Sequence, residues 1–296
     1  RFNILLIWLK VHNMKHLIIG NSGFVGKNLE KYLSAKYKKK NVFGFASKFL
    51  NLTKKENYKK IDKFIKKNTT IYFLAFNKNQ KNASLKDYEI NHKMITNFLD
   101  YIKNKKIKKL LFFSTQSIYG EDTDNKNITE KTLPNPTSFY GIAKYNCERL
   151  VEKFFILKKT PFLIVRTPRI YGPGDDPNNY GPSLFTQKYK DKESIVLWGD
   201  GSEKRNYLYI SDVVKIIDLL IIKNFSGFIN ICSNENCSFK FLINTLNKVT
   251  KSKIHIISKP RSRQQVDQIM NNRFLKKIIG NYPFISIEKG LRNLIK

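Results

Sequence analysis

The sequence predicts an α/β fold, with a doubly wound, mainly parallel sheet and a smaller C-terminal domain. Two observations support this prediction. The apolar run Leu17–Ile19 is followed by glycines at 20, 23 and 26 and by apolar residues at helical spacing, which indicates a buried strand, a tight turn and a helix. Short apolar runs then alternate with helix-length segments up to about residue 166, as in parallel βαβ units.

The individual elements follow from these runs and from the residues that interrupt them. Strands are predicted at 17–19, 41–46, 70–76, 110–113 and 161–166. Helices are predicted at 27–37, 54–67, 84–103 and 138–157. Proline and glycine become frequent across 168–182, which indicates a change of domain. We therefore expect a first domain at 14–165 and a second mainly at 166–296, with part of 206–232 returning to the first.

The ends of the chain and its cysteines favour a cytosolic protein. Residues 1–13 are interpreted as an extension upstream of a start at Met14, and their apolar run 4–9 is too short to cross a membrane. The cysteines at 147, 232 and 237 are odd in number and lack C-x-x-C spacing, which favours reduced thiols over a disulfide frame or a zinc site.

The net charge of +32 is interpreted as surface charge, not as a nucleic-acid signature. Lysine supplies most of the 55 basic residues and is spread through the chain, while Asn, Ile, Phe and Tyr are abundant too, as expected of an AT-rich genome. A dispersed charge is more often a solvated surface than a groove for phosphates. It still attracts anionic small molecules.

The glycine turn predicts a phosphate site for a dinucleotide. Gly20, Gly23 and Gly26 have the spacing G-x-x-G-x-x-G, which differs from the common G-x-G-x-x-G. Glycines let the backbone approach a pyrophosphate, and the unpaired N–H groups at the helix start, around Phe24 and Val25, favour negative charge. A glycine turn without a ligand is the alternative, but the flanking strand and helix favour the dinucleotide.

Longer motifs extend from the glycine turn towards the C-terminus. They are GNSGFVG at 20–26, LAF at 74–76, STQSIYG at 114–120, YGIAK at 140–144, RTPRIYGPG at 166–174 and GDGSEKRNYLYISDVV at 199–214. Together with the tail at 271–295 they resemble the extended short-chain dehydrogenase/reductase family, the nucleotide-sugar epimerases and dehydratases. The resemblance implies a Rossmann-type fold, an NAD or NADP cofactor, a nucleotide-diphosphate sugar as substrate, and a homodimer formed through two helices of each subunit.

The resemblance assigns acid/base catalysis to Tyr140, with Lys144 holding the nicotinamide ribose. The Tyr-x-x-x-Lys pattern also occurs at 32/36 and 101/105, but there it lies among other lysines on predicted amphipathic helices. Residues four apart share one helix face. A nearby ammonium, together with the positive nicotinamide of an oxidised cofactor, is therefore expected to lower the phenol pKa from its usual value of about 10. Tyr140 can then take a proton from a sugar hydroxyl while hydride leaves the carbon.

The end of the second strand favours NADP over NAD. NAD enzymes normally place a carboxylate about 20 residues beyond the glycine loop, on the adenosine ribose. Here the strand is followed by Ser47 and Lys48, which can hold a 2′-phosphate that a carboxylate would repel. The alternative is that Lys48 is an ordinary surface lysine. By resemblance the cofactor also contacts Asn51, Leu52, Leu74, Ala75, Phe76, Asn91 and Pro168.

The substrate residues also come from the resemblance. Arg205 matches the arginine that pairs with the nucleotide diphosphate, a role that suits a fork-shaped guanidinium. Arg169 stands where many members have asparagine, and Arg261 aligns loosely with a second phosphate arginine, a basic surface loop being an equal alternative. Thr115 matches the hydroxyl that hydrogen-bonds the reacting sugar oxygen, and Ser117 is a further candidate.

The motif STQSIYG argues against dehydration. The 4,6-dehydratase branch has an acid two residues before the tyrosine of this motif, whereas this chain has Ser117, preceded by Gln116. Without an acid, elimination of water lacks its proton shuttle. A 4-epimerase or an NADPH-dependent reductase of a 4-keto sugar then remains. The NADP preference favours the reductase and the long motifs at 166–174 and 199–214 favour the epimerase, which we expect narrowly ahead. The alternative from another class is a catalytically idle member that binds RNA or protein.

Overall fold

The computed structural model describes residues 14–77, 83–261 and 264–296 and divides the chain into two compact units. The first unit comprises the described residues up to Glu121 with Leu133–Arg166 and Ile217–Ile229, and the second comprises Asp122–Thr132, Thr167–Ile216 and Asn230–Lys296. The segment 122–132, expected in the first domain, therefore belongs to the second unit. The predicted upstream extension at 1–13 lies outside the described residues.

Strands and helices alternate through most of the chain. In the described residues the strands are β1 Lys15–Ile19, β2 Val42–Phe45, β3 Thr69–Phe73, β4 Lys109–Thr115, β5 Asn125–Ile128, β6 Phe162–Thr167, β7 Arg169–Tyr171, β8 Ile195–Trp198, β9 Lys204–Tyr209, β10 Gly227–Asn230, β11 Asn236–Ser238, β12 Ile256–Lys259 and β13 Gln268–Met270. The α-helices are α1 Phe24–Tyr37, α2 Leu85–Ile102, α3 Phe139–Leu157, α4 Pro182–Lys190, α5 Ile210–Ile222, α6 Phe239–Thr250, α7 Arg273–Ile279 and α8 Ile287–Ile295.

A six-stranded sheet forms the centre of the first unit, in the order β10-β6-β4-β3-β1-β2. β1 pairs in parallel with β2 and β3, and β3 pairs in parallel with β4. The chain thus moves from β1 to one side and then returns past β1 to β3. Ligands of open α/β sheets bind at the carboxyl ends of the strands beside such a reversal. The predicted Rossmann-type fold is confirmed.

Local sequence explains where the two helices beside the site begin. Ser84 caps α2 through a capping box with Asp87, in which each side chain accepts a hydrogen bond from the other residue's backbone. Ser138 caps α3 because its hydroxyl accepts a hydrogen bond from the Gly141 amide at 3.1 Å. The cap at Ser138 places Tyr140 in the first turn of α3.

The predicted helix at 54–67 has a different form from the one expected. The segment Lys55–Phe64 is a 3₁₀ helix. Its apolar residues Tyr58, Ile61 and Phe64 recur every third position, which is the period of a 3₁₀ helix and not of an α-helix. Tyr58 and Ile61 are fully buried and join the core that the sheet forms with α2 and α3.

The second unit is built on a smaller, mixed sheet. Its strand order is β11-β9-β13-β5, with β7 paired to β9, and β8 and β12 form a separate parallel pair. β9 runs antiparallel to β11 and parallel to β7. The apolar residues Phe185, Phe239 and Leu246, from α4 and α6, form part of its core. β9, which carries Arg205, is central in this sheet because it pairs with β11, β13 and β7.

The structure also describes the cysteines, possible metal-binding groups and possible membrane-spanning helices. The cysteines at 147, 232 and 237 are free and buried. Across the described ranges no group of three or more His, Cys, Asp or Glu side chains could hold a metal ion. None of the helices in those ranges is both long and apolar enough to cross a membrane.

Candidate active site

Two of the three glycines in the turn after β1 are required by close packing. Gly20 has φ +95°, and a Cβ there would lie 2.6 Å from the Ala75 amide nitrogen. A Cβ on Gly26 would collide with the Gly20 carbonyl oxygen. These two glycines let the turn fold against the end of β3 and let α1 start directly over it.

Gly23 differs, because neither its backbone conformation nor its packing requires a glycine. It has φ −75°, and a Cβ there would have only ordinary contact, 3.6 Å from the Gly20 carbonyl oxygen. It is the N-cap of α1 but supplies no side-chain hydrogen bond, and the first turn contains no acidic residue. The N–H groups at this helix start therefore suit a phosphate. With Phe24 and Val25 half-buried beside it, this end of the sheet fits the pyrophosphate of a dinucleotide.

The segment after β3 is anchored at both ends. The amides of Leu74 and Ala75 both donate to the Ile19 carbonyl at 2.9 Å. Asn91 on α2 is buried; its amide group donates to the Asn77 carbonyl at 2.9 Å, and its side-chain oxygen accepts from the Asn77 amide at 2.7 Å. Asn91 thus acts by holding the backbone that follows LAF.

Of the four predicted cofactor residues after β2, two are only exposed and two stabilise the fold. Ser47 and Lys48 are exposed and directly follow the end of the strand. The Asn51 side chain accepts hydrogen bonds from the Thr53 amide and hydroxyl, at 3.0 and 2.8 Å, and so stabilises a turn. Leu52 is buried in the core of the first unit. Ser47 and Lys48 are consequently the exposed polar groups that follow this strand.

Tyr140, Thr115 and Lys144 come together at the carboxyl end of β4. A side-chain hydrogen bond joins Tyr140 to Thr115, the last residue of that strand. The Thr115 hydroxyl also lies 3.3 Å from the Ser117 hydroxyl. Lys144 is buried, and its ammonium donates to the Phe113 carbonyl of β4 at 2.7 Å. The structure thus brings together four residues from two separate motifs of the sequence.

The electrostatics of Tyr140 differ from the expectation. The pKa of Tyr140 is raised to about 12, mainly by burial and to a smaller extent by the charge of Glu121, while the hydrogen bond to Thr115 acts in the opposite direction. In the chain itself the net shift of the Tyr140 pKa is therefore upward, whereas the expected lowering included the positive charge of a bound, oxidised nicotinamide as well as that of Lys144. A phenol with a raised pKa is almost entirely protonated at pH 7. Further positive charge is needed beside it for base catalysis.

A buried ion pair behind these residues was not foreseen. Arg166, at the end of β6, donates from Nε to both carboxylate oxygens of Glu148, at 3.1 and 3.2 Å, and from a terminal nitrogen at 2.7 Å. Its other terminal nitrogen donates to the Tyr119 hydroxyl at 2.9 Å. Glu148 lies one helical turn after Lys144. Its i, i+4 spacing from Lys144 was the available signal in the sequence.

In the second unit, Arg169 and Arg205 lie on neighbouring strands beside Tyr207. Arg169 on β7 is in register with Tyr207, two residues from Arg205 on β9. Burial and the charge of Arg169 lower the pKa of Arg205. Arg205 donates to the Lys204 carbonyl at 2.9 Å and to the Val266 carbonyl, while its buried Nε has no partner among the described residues. Two adjacent guanidinium groups favour an anion here.

Of the remaining predicted binding residues, Arg261 is bonded to other side chains and Pro168 is buried. Arg261 forms a salt bridge with Asp200 and donates to the Gln265 side chain at 2.8 Å. Its guanidinium also packs against Gly199. Asp200 therefore already balances the charge of Arg261, although its buried Nε, like that of Arg205, has no hydrogen-bond partner among the described residues. Pro168 is buried directly after β6.

The sequence matches a known family and several curated proteins. The model of the NAD dependent epimerase/dehydratase family matches residues 16–232. Over 246 residues the chain is 30% identical to a dTDP-D-glucose 4,6-dehydratase of Dictyostelium discoideum, covering 72% of this chain and only 56% of that protein. Over 291 residues it is 27% identical to a GDP-6-deoxy-D-talose 4-dehydrogenase of Aggregatibacter actinomycetemcomitans, covering 96% and 97% of the two chains.

Solved structures share the fold. A UDP-glucose 4-epimerase of Thermus thermophilus, in complex with NAD, aligns with a TM-score of 0.82 at 21% identity, over 95% of this chain and 98% of that one. The protein RMD of Pseudomonas aeruginosa, complexed with NADPH, aligns with a TM-score of 0.81 at 21% identity, over the same shares of the two chains. At these identities the likeness establishes the fold alone.

Proposed function

The chain belongs to the NAD dependent epimerase/dehydratase family, and from this premise we propose that it is a nucleotide-sugar 4-epimerase with Tyr140 as its acid/base. The observation that carries the proposal is the hydrogen bond between Tyr140 and Thr115, with Lys144 one turn further along α3. A phenol, a hydroxyl and an ammonium at the carboxyl end of β4 form a site for removing a proton from an alcohol.

In this proposal Tyr140 removes the proton from the 4-hydroxyl of the sugar and later returns it. When bound, an oxidised nicotinamide supplies a hydride acceptor and a positive charge. That charge favours the phenolate, because an opposite charge within a few ångströms stabilises the ionised form. Thr115 hydrogen-bonds the reacting oxygen, with Ser117 beside it. Lys144 holds the ribose and keeps positive charge near the phenol.

We assign the cofactor as NADP, ahead of NAD. Ser47 and Lys48 are exposed after β2 and match the chemistry of a 2′-phosphate. Gly23 leaves room for the pyrophosphate at the start of α1. Asn91 contributes by holding the segment after LAF and not through free polar atoms of its own.

We assign the diphosphate of the substrate to Arg205 and Arg169. The orphaned Nε of Arg205 and the neighbouring charge of Arg169 support this assignment. Arg261 is left out because Asp200 already neutralises it.

A reductase of a 4-keto nucleotide sugar is the second candidate. The exposed Ser47 and Lys48 favour it, because a cofactor that is released and exchanged is typically NADPH. Dehydration is disfavoured because Gln116 and Ser117 stand where a proton-donating acid is needed. One relative is nevertheless named as a 4,6-dehydratase.

The test is turnover of UDP-glucose and of dTDP-glucose with NADP⁺ or NAD⁺ present. Tyr140→Phe is expected to retain cofactor affinity and to lose about 100-fold or more in kcat. Tyr145→Phe, on the same helix, is the matched control and should retain wild-type kcat. Unchanged turnover in Tyr140→Phe would reject the assignment.

Native mass spectrometry separates the epimerase from the reductase, because an epimerase retains its dinucleotide. Salt-sensitive RNA binding without turnover would instead favour an idle member of the family.

A further inference from the structure

We propose that Phe76 is a positioning residue for the acid/base pair, holding the Lys144 ammonium and the Tyr140 ring against one aromatic side chain. The inference rests on the proposed function, in which Tyr140 and Lys144 act together. It adds a residue that makes contact with both of them through its ring.

The backbone on either side of Phe76 is held in place. On one side the Ala75 amide donates to the Ile19 carbonyl of β1 at 2.9 Å. On the other side both backbone polar groups of Asn77 are bonded to the buried side chain of Asn91. Phe76 therefore projects from a short segment with little freedom to move.

The ring contacts both members of the pair. The Lys144 ammonium nitrogen lies 3.9 Å from the centroid of the Phe76 ring. The Tyr140 ring lies 5.4 Å from the same centroid, with an interplanar angle of 87°. The first distance is that of a close cation–π contact, and the second arrangement is a perpendicular aromatic pair, which is favourable.

The contact matters because Lys144 is a buried cation. It is only 3% exposed, and a charged group taken out of water needs compensating partners. The Phe113 carbonyl at 2.7 Å is one such partner, and the Phe112 ring lies further away, at 5.3 Å. For a desolvated cation, the close ring is worth about tenfold or more in an equilibrium constant. Without it, we expect the ammonium to leave its position beside Tyr140.

The first arm of the test measures the contact without any ligand. The unfolding constants of wild type, Phe76→Leu, Lys144→Met and the double variant form a double-mutant cycle. A coupling of about fivefold or more in the unfolding constant supports the contact. Additive effects of the two substitutions would overturn the proposal, whatever the enzyme does with sugars.

The second arm measures positioning through the pH dependence of kcat, with whichever of UDP-glucose and dTDP-glucose the wild type converts. In Phe76→Leu the rise of kcat with pH should move up by about one unit, with a tenfold loss at neutral pH that recovers at high pH. Phe76→Tyr keeps an aromatic face and should restore the wild-type profile. An equal loss at every pH would mean that Phe76 is only structural. Coupling without turnover in the wild type would count against the proposed function while supporting the Phe76–Lys144 contact.

Discussion

The Arg166 guanidinium donates to both carboxylate oxygens of Glu148, and both side chains are buried. This pair links the end of β6 to α3 one helical turn after Lys144. The further hydrogen bond from Arg166 to Tyr119 links it to the motif that contains Thr115. Together, the ion pair and this hydrogen bond join the elements that carry the three candidate catalytic residues.

We expect Glu148→Ala to lower the free energy of unfolding by about 3–5 kcal/mol, because it leaves Arg166 as an uncompensated buried charge. The double variant Glu148→Leu/Arg166→Met should be more stable than Glu148→Ala. Arg149→Ala, on the same helix, removes an ion pair with Glu152 in which the arginine side chain is exposed, and should cost about 1 kcal/mol or less. Urea denaturation measures all three. Equal stability of Glu148→Ala and Arg149→Ala would contradict the assignment of a structural role to the pair.

Substitutions at two glycines of the turn should affect folding and cofactor binding differently. Gly23→Ala is expected to lower the free energy of unfolding by no more than about 1 kcal/mol, since its Cβ has room and only the N-cap preference for glycine over alanine is lost. It should weaken NADPH binding about tenfold or more, because the added methyl group occupies the approach of the pyrophosphate. Gly26→Ala, in contrast, should cost about 1–3 kcal/mol of stability through overpacking. Thermal unfolding and fluorescence titration with NADPH measure the two effects, and unweakened binding in Gly23→Ala would argue against a phosphate at this position.

The cofactor assignment predicts that NADPH binds more tightly than NADH. Lys48→Glu should weaken NADPH binding by about 10- to 100-fold, since it replaces a charge-assisted contact with a repulsive one. Binding of NADH should change little. Lys40→Glu, at another exposed lysine, controls for the change in net charge. Equal affinities for NADH and NADPH in the wild type would refute the preference.

His16 should make stability depend on pH. Burial lowers the pKa of His16 to about 3, with the charges of Lys108 and Lys36 as further causes. The unfolded chain takes up a proton near pH 6.5 and the folded chain does not. The free energy of unfolding should therefore fall by about 1.4 kcal/mol per pH unit as pH drops below 6.5 towards 3. Above pH 6.5 His16 is neutral in both states, and its effect on the pH dependence of stability vanishes.

Chemical denaturation between pH 7 and pH 5 measures the effect. His16→Phe should lose this slope, although the Tyr72 hydroxyl then loses its 2.8 Å hydrogen bond to the imidazole and overall stability falls. His255→Gln, at an exposed histidine, should leave the slope unchanged. A slope that persists in His16→Phe would show that other groups cause it.

Local patterns predicted much of the fold. The alternation of apolar runs was sufficient for the parallel sheet, and Ser84 and Ser138 mark the starts of α2 and α3 because a cap acts within three residues of itself. The helix at 54–67 was predicted with the wrong period, since short polar segments give a weak periodic signal.

Long-range contacts could not be predicted in the same way. The partnership of Asn91 with Asn77, the salt bridge of Arg261 with Asp200, and the ring of Phe76 beneath Lys144 each join residues that are far apart in the sequence. The pKa of Tyr140 is a further example, because its burial depends on everything packed around it. The sequence determined which chemical groups the chain carries and which strands and helices hold them, since those depend on neighbouring residues. Only the tertiary structure decided which groups remain free to bind a ligand, because folding directs some polar side chains to backbone partners and leaves others exposed.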